Sequence, residues 1–146
     1  MKKVVIYTDG SCKNNPGPGG WAAILMYNGK TREITGAEKN TTNNQMELTA
    51  AIKALEILKE PCEVELYSDS NYLVKAFNES WIVKWALLGW KKPKNEELLN
   101  AQLWQRLFEL SNIHKITWNK VEAHKDNEYN NRCDMLAKAA ILKLDL

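Results

Sequence analysis

A helical segment between two short apolar runs constrains the fold of this chain more than any other sequence feature. The segment begins at Thr42, carries alanine and leucine residues at helical spacing, and is closed by Pro61. The runs 3–8 and 63–68 on either side of it are rich in β-branched and apolar residues, as buried strands are. A helical crossover between two strands of one sheet makes them parallel, so we expect both runs to end at the same sheet edge.

Further strands and helices extend this unit in both directions. The Asn28-Gly29 pair predicts a tight hairpin, and the spacing of apolar residues predicts the remaining elements. The predicted strands are 3–8, 21–27, 31–36, 63–68 and 115–121, and the further helices are 70–88, 96–110 and 128–144. This order indicates an α/β fold, a five-stranded mixed sheet with helices on both faces.

Composition narrows the class of protein. The chain has 146 residues, of which 45% are hydrophobic and 26% charged, with a net charge of +2, so 1–146 is expected to form one globular domain. Its apolar stretches are too short for a membrane span, and the N-terminal run turns polar too early for a signal peptide. Three cysteines without a CxxC pair argue against a disulfide or zinc framework. A cytoplasmic location is therefore expected.

Four acids occur where this fold would bring them together. Asp9 and Asp69 follow the two parallel strands. Glu47 heads the apolar stripe of the central helix, and Asp134 lies near the start of the last helix. Singly, each could equally cap a turn or helix, or interact with a helix dipole. Jointly, converging carboxylates repel one another unless they are protonated or bind a cation.

Oxygen ligands without histidine or cysteine suit Mg²⁺ or Mn²⁺. Four carboxylates suit two such ions, held roughly 3.5–4 Å apart, which activate water and stabilise the leaving oxygen in phosphoryl transfer. The acids therefore predict a two-metal site.

The chain resembles the type 1 ribonucleases H in four stretches, TDGSCKNNPGPGGWAAIL, TTNNQMELTAAIKALEIL, YSDS and NNRCDMLAKAA. The likeness extends over residues 3–141. It implies a ribonuclease H-like fold and an endonuclease that cuts the RNA strand of an RNA–DNA hybrid, leaving 5′-phosphate and 3′-hydroxyl ends. We expect two Mg²⁺ ions per active site, with Mn²⁺ as a substitute, and a monomer that binds the hybrid but no membrane.

The resemblance also implies a role for each catalytic residue. Asp9 would bridge both ions, and Asp134 would bind the ion that activates the attacking water. Glu47 and Asp69 would complete the shell of the second ion. His124 matches a mobile histidine that relays a proton or helps product release, and imidazole suits proton transfer near neutral pH. Without the resemblance, a lone loop histidine is more often simply solvated.

The glycine-rich loop 10–20 and the start of the central helix match family contacts to the hybrid. Glycines let backbone amides approach a sugar–phosphate chain, and asparagines can bind the 2′-hydroxyls that distinguish RNA from DNA. The matching positions are Cys12, Asn15, Asn43 and Asn44, with Asn71 as an addition. Thr42 and Asn100 match a pocket for one DNA phosphate. For Cys12 the alternative is a small, partly buried apolar residue.

Tryptophans recur among lysines in the segment 80–104. Aromatic rings between cations suit a groove that grips a nucleic-acid strand, but tryptophans also pack a helical protrusion against a protein body. The predicted substrate contacts are Trp81 and Lys84, and the predicted packing residues are Trp85, Trp90 and Trp104.

The sequence departs from the family pattern at a few positions. Asn40 and Gln45 stand where arginine is frequent, which predicts weaker and strongly salt-dependent hybrid binding. Ala123 replaces a common glycine beside the predicted catalytic histidine, which predicts a stiffer loop. The Leu87–Leu88 pair dilutes the basic protrusion and could instead mark a partner surface. His114 matches no motif and is expected at the surface.

Two other classes of protein remain open. A transposase or integrase core shares this sheet and its clustered acids, but it would lack the TTNNQMEL helix start and the Asn- and Gly-rich loop. A non-catalytic hybrid-binding module would have lost a metal ligand, whereas all four acids are present here. Cleavage of a hybrid in magnesium would separate an enzyme from a module.

Overall fold

The computed structural model of the chain describes residues 1–122 and 127–144. The strands are β1 Lys2–Cys12, β2 Gly17–Tyr27, β3 Lys30–Thr41, β4 Cys62–Ser68 and β5 Lys115–Lys120. The helices are α1 Asn43–Ile57, α2 Asn71–Asn78, α3 Trp81–Leu87, α4 Ala101–Ile113 and α5 Glu128–Leu142, and a 3₁₀ turn covers Pro93–Asn95.

The strands form the predicted mixed sheet, in the spatial order β3-β2-β1-β4-β5. β1, β2 and β3 pair antiparallel, whereas β1 pairs parallel with β4 and β4 with β5. In the parallel pair β1–β4, Tyr7 lies opposite Tyr67. Asp9 and Asp69 each follow two residues later, so both reach the same edge of the sheet.

Helices cover both faces of the sheet, as the sequence predicted. A Cβ on Gly19 would come within 3.0 Å of the Met46 side chain of α1, and one on Gly20 would meet Ala137 of α5. Successive residues of a strand point to opposite faces, so α1 and α5 lie on opposite sides of β2. The main core lies on the α1 side, where Ile6 is buried among apolar residues of α1, α2 and α4.

The first hairpin is longer than the sequence predicted. β1 continues past residue 8 to Cys12, and β2 begins at Gly17, so most of the predicted loop 10–20 is paired strand. Cys12 lies opposite Gly19 in this extension. Glycine and proline content predicted a loop, but pairing with the neighbouring strand outweighs a local preference of this size.

The segment between β4 and β5 is also more divided than predicted. The single helix expected over 70–88 is interrupted at Ser80, whose φ of 60° is left-handed. A right-handed helix cannot continue through such a residue. The helix expected over 96–110 begins only at Ala101, because Asn100 has a φ of 61°. Within the described residues, none of the helices has the length and apolarity needed to cross a lipid bilayer.

Candidate active site

Three acids converge where β1, β4 and α1 meet. Asp9 lies in β1, Asp69 directly follows β4, and Glu47 lies near the start of α1. Gly10 lets α1 lie against β1, because a Cβ on Gly10 would come within 2.5 Å of the Glu47 backbone nitrogen. One carboxylate oxygen from each of the three acids lies within 4.8 Å of the others, a spacing that could hold a metal ion.

Asp134 joins the three acids from α5, on the opposite face of the sheet. Its charge helps to raise the pKa of Asp9, so the two carboxyls lie close together. All four acids line one open cleft, with a volume of about 370 Å³. Asp134 lies outside the compact group of three, and its Oδ2 is 3.1 Å from Nζ of Lys138.

Burial and mutual repulsion change the proton affinity of the cluster. Burial, followed by the charges of Asp69 and Asp134, raises the pKa of Asp9 to about 8. Burial, followed by the charges of Asp9 and Asp69, raises the pKa of Glu47 well above its usual value. Asp9 and Glu47 are therefore costly to ionise in the absence of a cation.

One atom of the cluster provides a test of whether a metal ion would fit. Glu47 Oε1 is buried and has no hydrogen-bond partner among the described residues. A buried polar atom without a partner is uncommon and indicates a missing proton, water or ion. Among the described residues, the donors of this group are carboxylate oxygens, which match the preference of Mg²⁺ or Mn²⁺, so the donor set fits such an ion.

Asparagines surround the acids, as the family resemblance implied. Asn43, Asn44 and Asn71 line the same cleft as the carboxylates. Asn15 is not among the residues that line the cleft, but it bonds to one of them. Its Oδ1 accepts a 2.9 Å hydrogen bond from the backbone N–H of Asn43. This bond connects the tip of the first hairpin with the start of α1.

Cys12 interacts mainly with the protein itself. Its thiol, which is partly buried, donates to the backbone oxygens of Thr41 at 3.4 Å and Gly17 at 3.5 Å. The side chain therefore connects the first hairpin to the end of β3. Its thiol is therefore already engaged within the protein.

Gln45 brings together the two residues predicted to form a phosphate pocket. Thr42 Oγ1 caps α1 by accepting from the backbone N–H of Gln45 at 3.1 Å. Gln45 Nε2 donates to Asn100 Oδ1 at 3.3 Å, and Asn100 Nδ2 donates to the Tyr72 hydroxyl at 3.1 Å. Thr42 and Gln45 have the spacing of a capping box, but its reciprocal half does not form, because Gln45 Oε1 accepts from Thr41 Oγ1 instead.

The junction that carries Asp69 depends on residues that sequence reasoning missed. Ser68 Oγ accepts from the Ser70 backbone N–H at 3.0 Å, and Ser70 Oγ caps α2 by accepting from Leu73 N–H at 3.2 Å. Lys120 Nζ donates to the Asp69 backbone oxygen at 2.6 Å. The serines on either side of Asp69 were a usable capping signal. The sequence contains no such signal for Lys120, because its partner is a main-chain atom distant in sequence.

Trp85, Trp90 and Trp104 pack against other aromatic rings, as predicted for the Trp-rich segment 80–104, called the protrusion here. Trp104 is fully buried, and its Nε1 donates to the Tyr72 hydroxyl at 3.2 Å. The Trp85 ring lies 5.2 Å from that of Trp104, and Trp90 meets Phe108 edge-on at 5.5 Å between ring centroids. These three indoles attach the protrusion to α4 and the core.

The outer side of α3 is exposed and partly apolar. Trp81 is 39% exposed, and Lys84 is exposed on the same helix. Val83, Leu87 and Leu88 are also exposed, with Leu87 at 83%. This surface is thus accessible to a ligand or partner, whereas Trp85 and Trp90 are only partly exposed and Trp104 is buried.

The structure tests the prediction for one of the two histidines. His124 and its neighbour Ala123 lie outside the described residues. His114, predicted at the surface, is buried, and that prediction is wrong. Its Nδ1 accepts a 3.1 Å hydrogen bond from the backbone N–H of Cys62, so it occupies the interior as a hydrogen-bond acceptor at the end of α4.

Known proteins resemble this chain in both sequence and fold. The sequence model of the RNase H family matches residues 1–142. A protein named Ribonuclease H from Acetivibrio thermocellus is 62% identical over 98% of this chain and 97% of its own. Another of that name, from Moorella thermoacetica, is 54% identical over 99% of this chain and 95% of its own.

Solved structures agree with the sequence comparison. LC9-RNase H1, described as a type 1 RNase H with the type 2 active-site motif, is 30% identical with a TM-score of 0.86, covering 97% of this chain and 72% of that one. LC11-RNase H1, solved in complex with an RNA/DNA hybrid, is 27% identical with a TM-score of 0.73, covering 96% and 97%.

The fold and the acidic cleft thus define an enzyme of the ribonuclease H type. The chain belongs to the RNase H family, in its type 1 branch.

Proposed function

We propose that the protein is an endonuclease that hydrolyses the RNA strand of RNA–DNA hybrids and leaves 5′-phosphate and 3′-hydroxyl ends. The observation that carries this proposal is the cleft in which Asp9, Glu47, Asp69 and Asp134 converge, with a buried, unpartnered oxygen on Glu47. A hydrolytic site of this composition needs cations to hold four carboxylates ionised together. The relative LC11-RNase H1, solved with a hybrid, supports the choice of substrate.

The acids would hold two divalent ions, with Mg²⁺ as the first choice and Mn²⁺ as a substitute. Asp9 would bridge them, Asp134 would bind one, and Glu47 and Asp69 would bind the other. Bound there, a pair of such ions supplies charge stabilisation and an activated water for phosphoryl transfer. The chain's own part is to fix the carboxylates before substrate arrives, through the contact of α1 with Gly10.

The polar residues of the cleft would identify the RNA strand. Asn43, Asn44 and Asn71 lie beside the acids, where amide groups can hydrogen-bond 2′-hydroxyls. Asn15 would keep the first hairpin in register with this surface through its bond to Asn43. Cys12 would contribute its backbone to the same contact.

The DNA strand would lie across α1 and the protrusion. Thr42 and Asn100, connected by Gln45, would form a neutral pocket for one phosphate. Trp81 and Lys84 would contact a sugar and a phosphate further along the strand, as an exposed ring beside a cation can.

Four further features complete the proposal. His124, which precedes α5 in the sequence, would carry a proton or assist product release. The protein would act as a monomer in the cytoplasm, with 1–146 as one catalytic domain.

Cleavage of a hybrid with an end-labelled RNA strand tests this function. We expect RNA cleavage in Mg²⁺ or Mn²⁺, none in chelator, and none of duplex RNA or duplex DNA. Asp9→Asn should bind the hybrid but not cut it. Binding by the unaltered protein without cleavage in either ion would favour a non-catalytic hybrid-binding module instead.

A further inference from the structure

Within residues 1–122 and 127–144, Asp134 differs from the other three acids in having its carboxylate in an ion pair. Lys138 Nζ lies 3.1 Å from Asp134 Oδ2, one turn further along α5. Over residues 1–122 and 127–144, neither lysine nor arginine forms an ion pair with Asp9, Glu47 or Asp69. The lysine therefore acts on one carboxylate of the cleft.

The position of Asp134 means that this ion pair can affect how the site binds a metal ion. Asp134 lies outside the compact group of three acids but lines the same cleft as Asp9. Its carboxyl is thus between an acid on one side and an ammonium group on the other. A divalent ion bound beside Asp9 would need the same carboxylate that Lys138 contacts.

We propose that Lys138 is a positioning residue that holds Asp134 in place at the metal-free site and competes with a divalent ion for its carboxylate. This inference rests on the proposed function, in which the acids bind such ions. In the absence of metal, the ammonium group offsets repulsion between Asp134 and the other carboxylates. When an ion binds, its double charge displaces the lysine, so Lys138 lowers the affinity of the site without blocking it.

The exposure of the pair sets the size of the effect. The side chains of Lys138 and Asp134 are 61% and 39% exposed, so water screens their attraction. Exposed pairs of this kind change an equilibrium by about two- to fivefold. We therefore expect a measurable change in metal affinity rather than an abrupt switch.

Calorimetric titration of the nucleic-acid-free protein with Mn²⁺ tests the proposal. Lys138→Gln should tighten Mn²⁺ binding about two- to fivefold and lower the melting temperature in chelator. Lys138→Arg keeps the positive charge within reach of Asp134 and should retain the affinity of the unaltered protein. Lys53→Gln is the matched control, since Lys53 is exposed on α1 and makes no ion pair with a described residue.

A second background separates direct competition from a general effect of charge. In Asp134→Asn, adding Lys138→Gln should change Mn²⁺ affinity no more than Lys53→Gln does. Equal affinities for Lys138→Gln and Lys53→Gln, or a Lys138→Gln effect that persists in Asp134→Asn, would overturn the competition but leave the proposed function intact. Failure of the unaltered protein to bind Mn²⁺ at the acids would overturn both.

Discussion

Gly10 of β1 and Glu47 of α1 are in backbone contact: a Cβ on the glycine would lie 2.5 Å from the Glu47 nitrogen. The absence of one side chain therefore lets α1 approach the sheet where its acid must reach Asp9. Real Cβ atoms do not approach backbone this closely, so any other residue at position 10 would displace the helix.

Gly10→Ala should consequently impair catalysis more than folding. Pushing α1 from β1 misplaces the Glu47 carboxylate, and an error of about 1 Å at a catalytic group can lower rates by tenfold or more. Overpacking should also cost about 1–3 kcal/mol of stability. Hybrid cleavage rates and urea unfolding would measure both, with Gly29→Asn as control, since Gly29 has open space around it and asparagine tolerates its φ of +77° better than most residues. Full activity of Gly10→Ala would mean that the contact is not needed.

The pKa of Asp9 predicts how metal-free stability depends on pH. The carboxyl titrates near its ordinary value of 3.8 in the unfolded chain and at about 8 in the folded protein. Between these values the folded protein binds more protons, so the free energy of unfolding must fall as pH rises. Asp9→Asn removes the part of this dependence that Asp9 contributes and leaves that of Glu47, and at pH 8 in chelator the variant should be more stable than the unaltered protein by about 1 kcal/mol or more.

Chemical unfolding from pH 4.5 to 8.5 would measure that slope, and saturating Mg²⁺ should reduce it. An Asp9→Asn variant that is less stable at pH 8 would show that the acids are not mutually destabilising.

The titration of His114 makes the free energy of unfolding depend on pH with the opposite sign. Burial lowers its pKa from 6.5, so protonation opposes folding, and its stabilising contribution is lost as pH falls below about 6.5. His114→Leu should cost about 1–3 kcal/mol at pH 7.5, because the Cys62 N–H loses its acceptor. His114→Asn, which can supply an amide oxygen, should be less destabilised and should lack this titration. Equal destabilisation by both variants would discount the hydrogen bond.

The Asn15–Asn43 bond predicts an effect on substrate binding. Asn15→Ala removes the acceptor that fixes the first hairpin to α1, so the hairpin should order less well against a hybrid. We expect KM for the hybrid to rise about three- to tenfold with kcat nearly unchanged. Asn131→Ala, an exposed change on α5, should leave both constants as they are. A fall in kcat alone would indicate a role in the chemical step.

Much of the site could be predicted because it depends on chain topology. A helical crossover makes the strands before Asp9 and Asp69 parallel, and the apolar stripe of α1 directs Glu47 inward. These relations use periodicity and handedness, which a sequence displays directly. The approximate position of Asp134 followed from the same reasoning.

Other features depend on contacts that a sequence does not display. Strand pairing extended β1 and β2 through a glycine-rich stretch whose composition predicted a loop. His114 and Lys120 bind backbone atoms more than fifty residues away, so neither local propensity nor hydrophobic pattern gave a signal. Residues with left-handed backbone, such as Ser80, interrupt segments that periodicity alone predicted to be single helices.

Anomalous diffraction from crystals grown with Mn²⁺ and a hybrid with non-hydrolysable linkages would test the central claim most directly. The account predicts two manganese peaks about 3.5–4 Å apart, both within coordination distance of Asp9. The other three acids should complete their shells. Manganese bound elsewhere, with the cleft between these acids empty while the hybrid is in place, would contradict it.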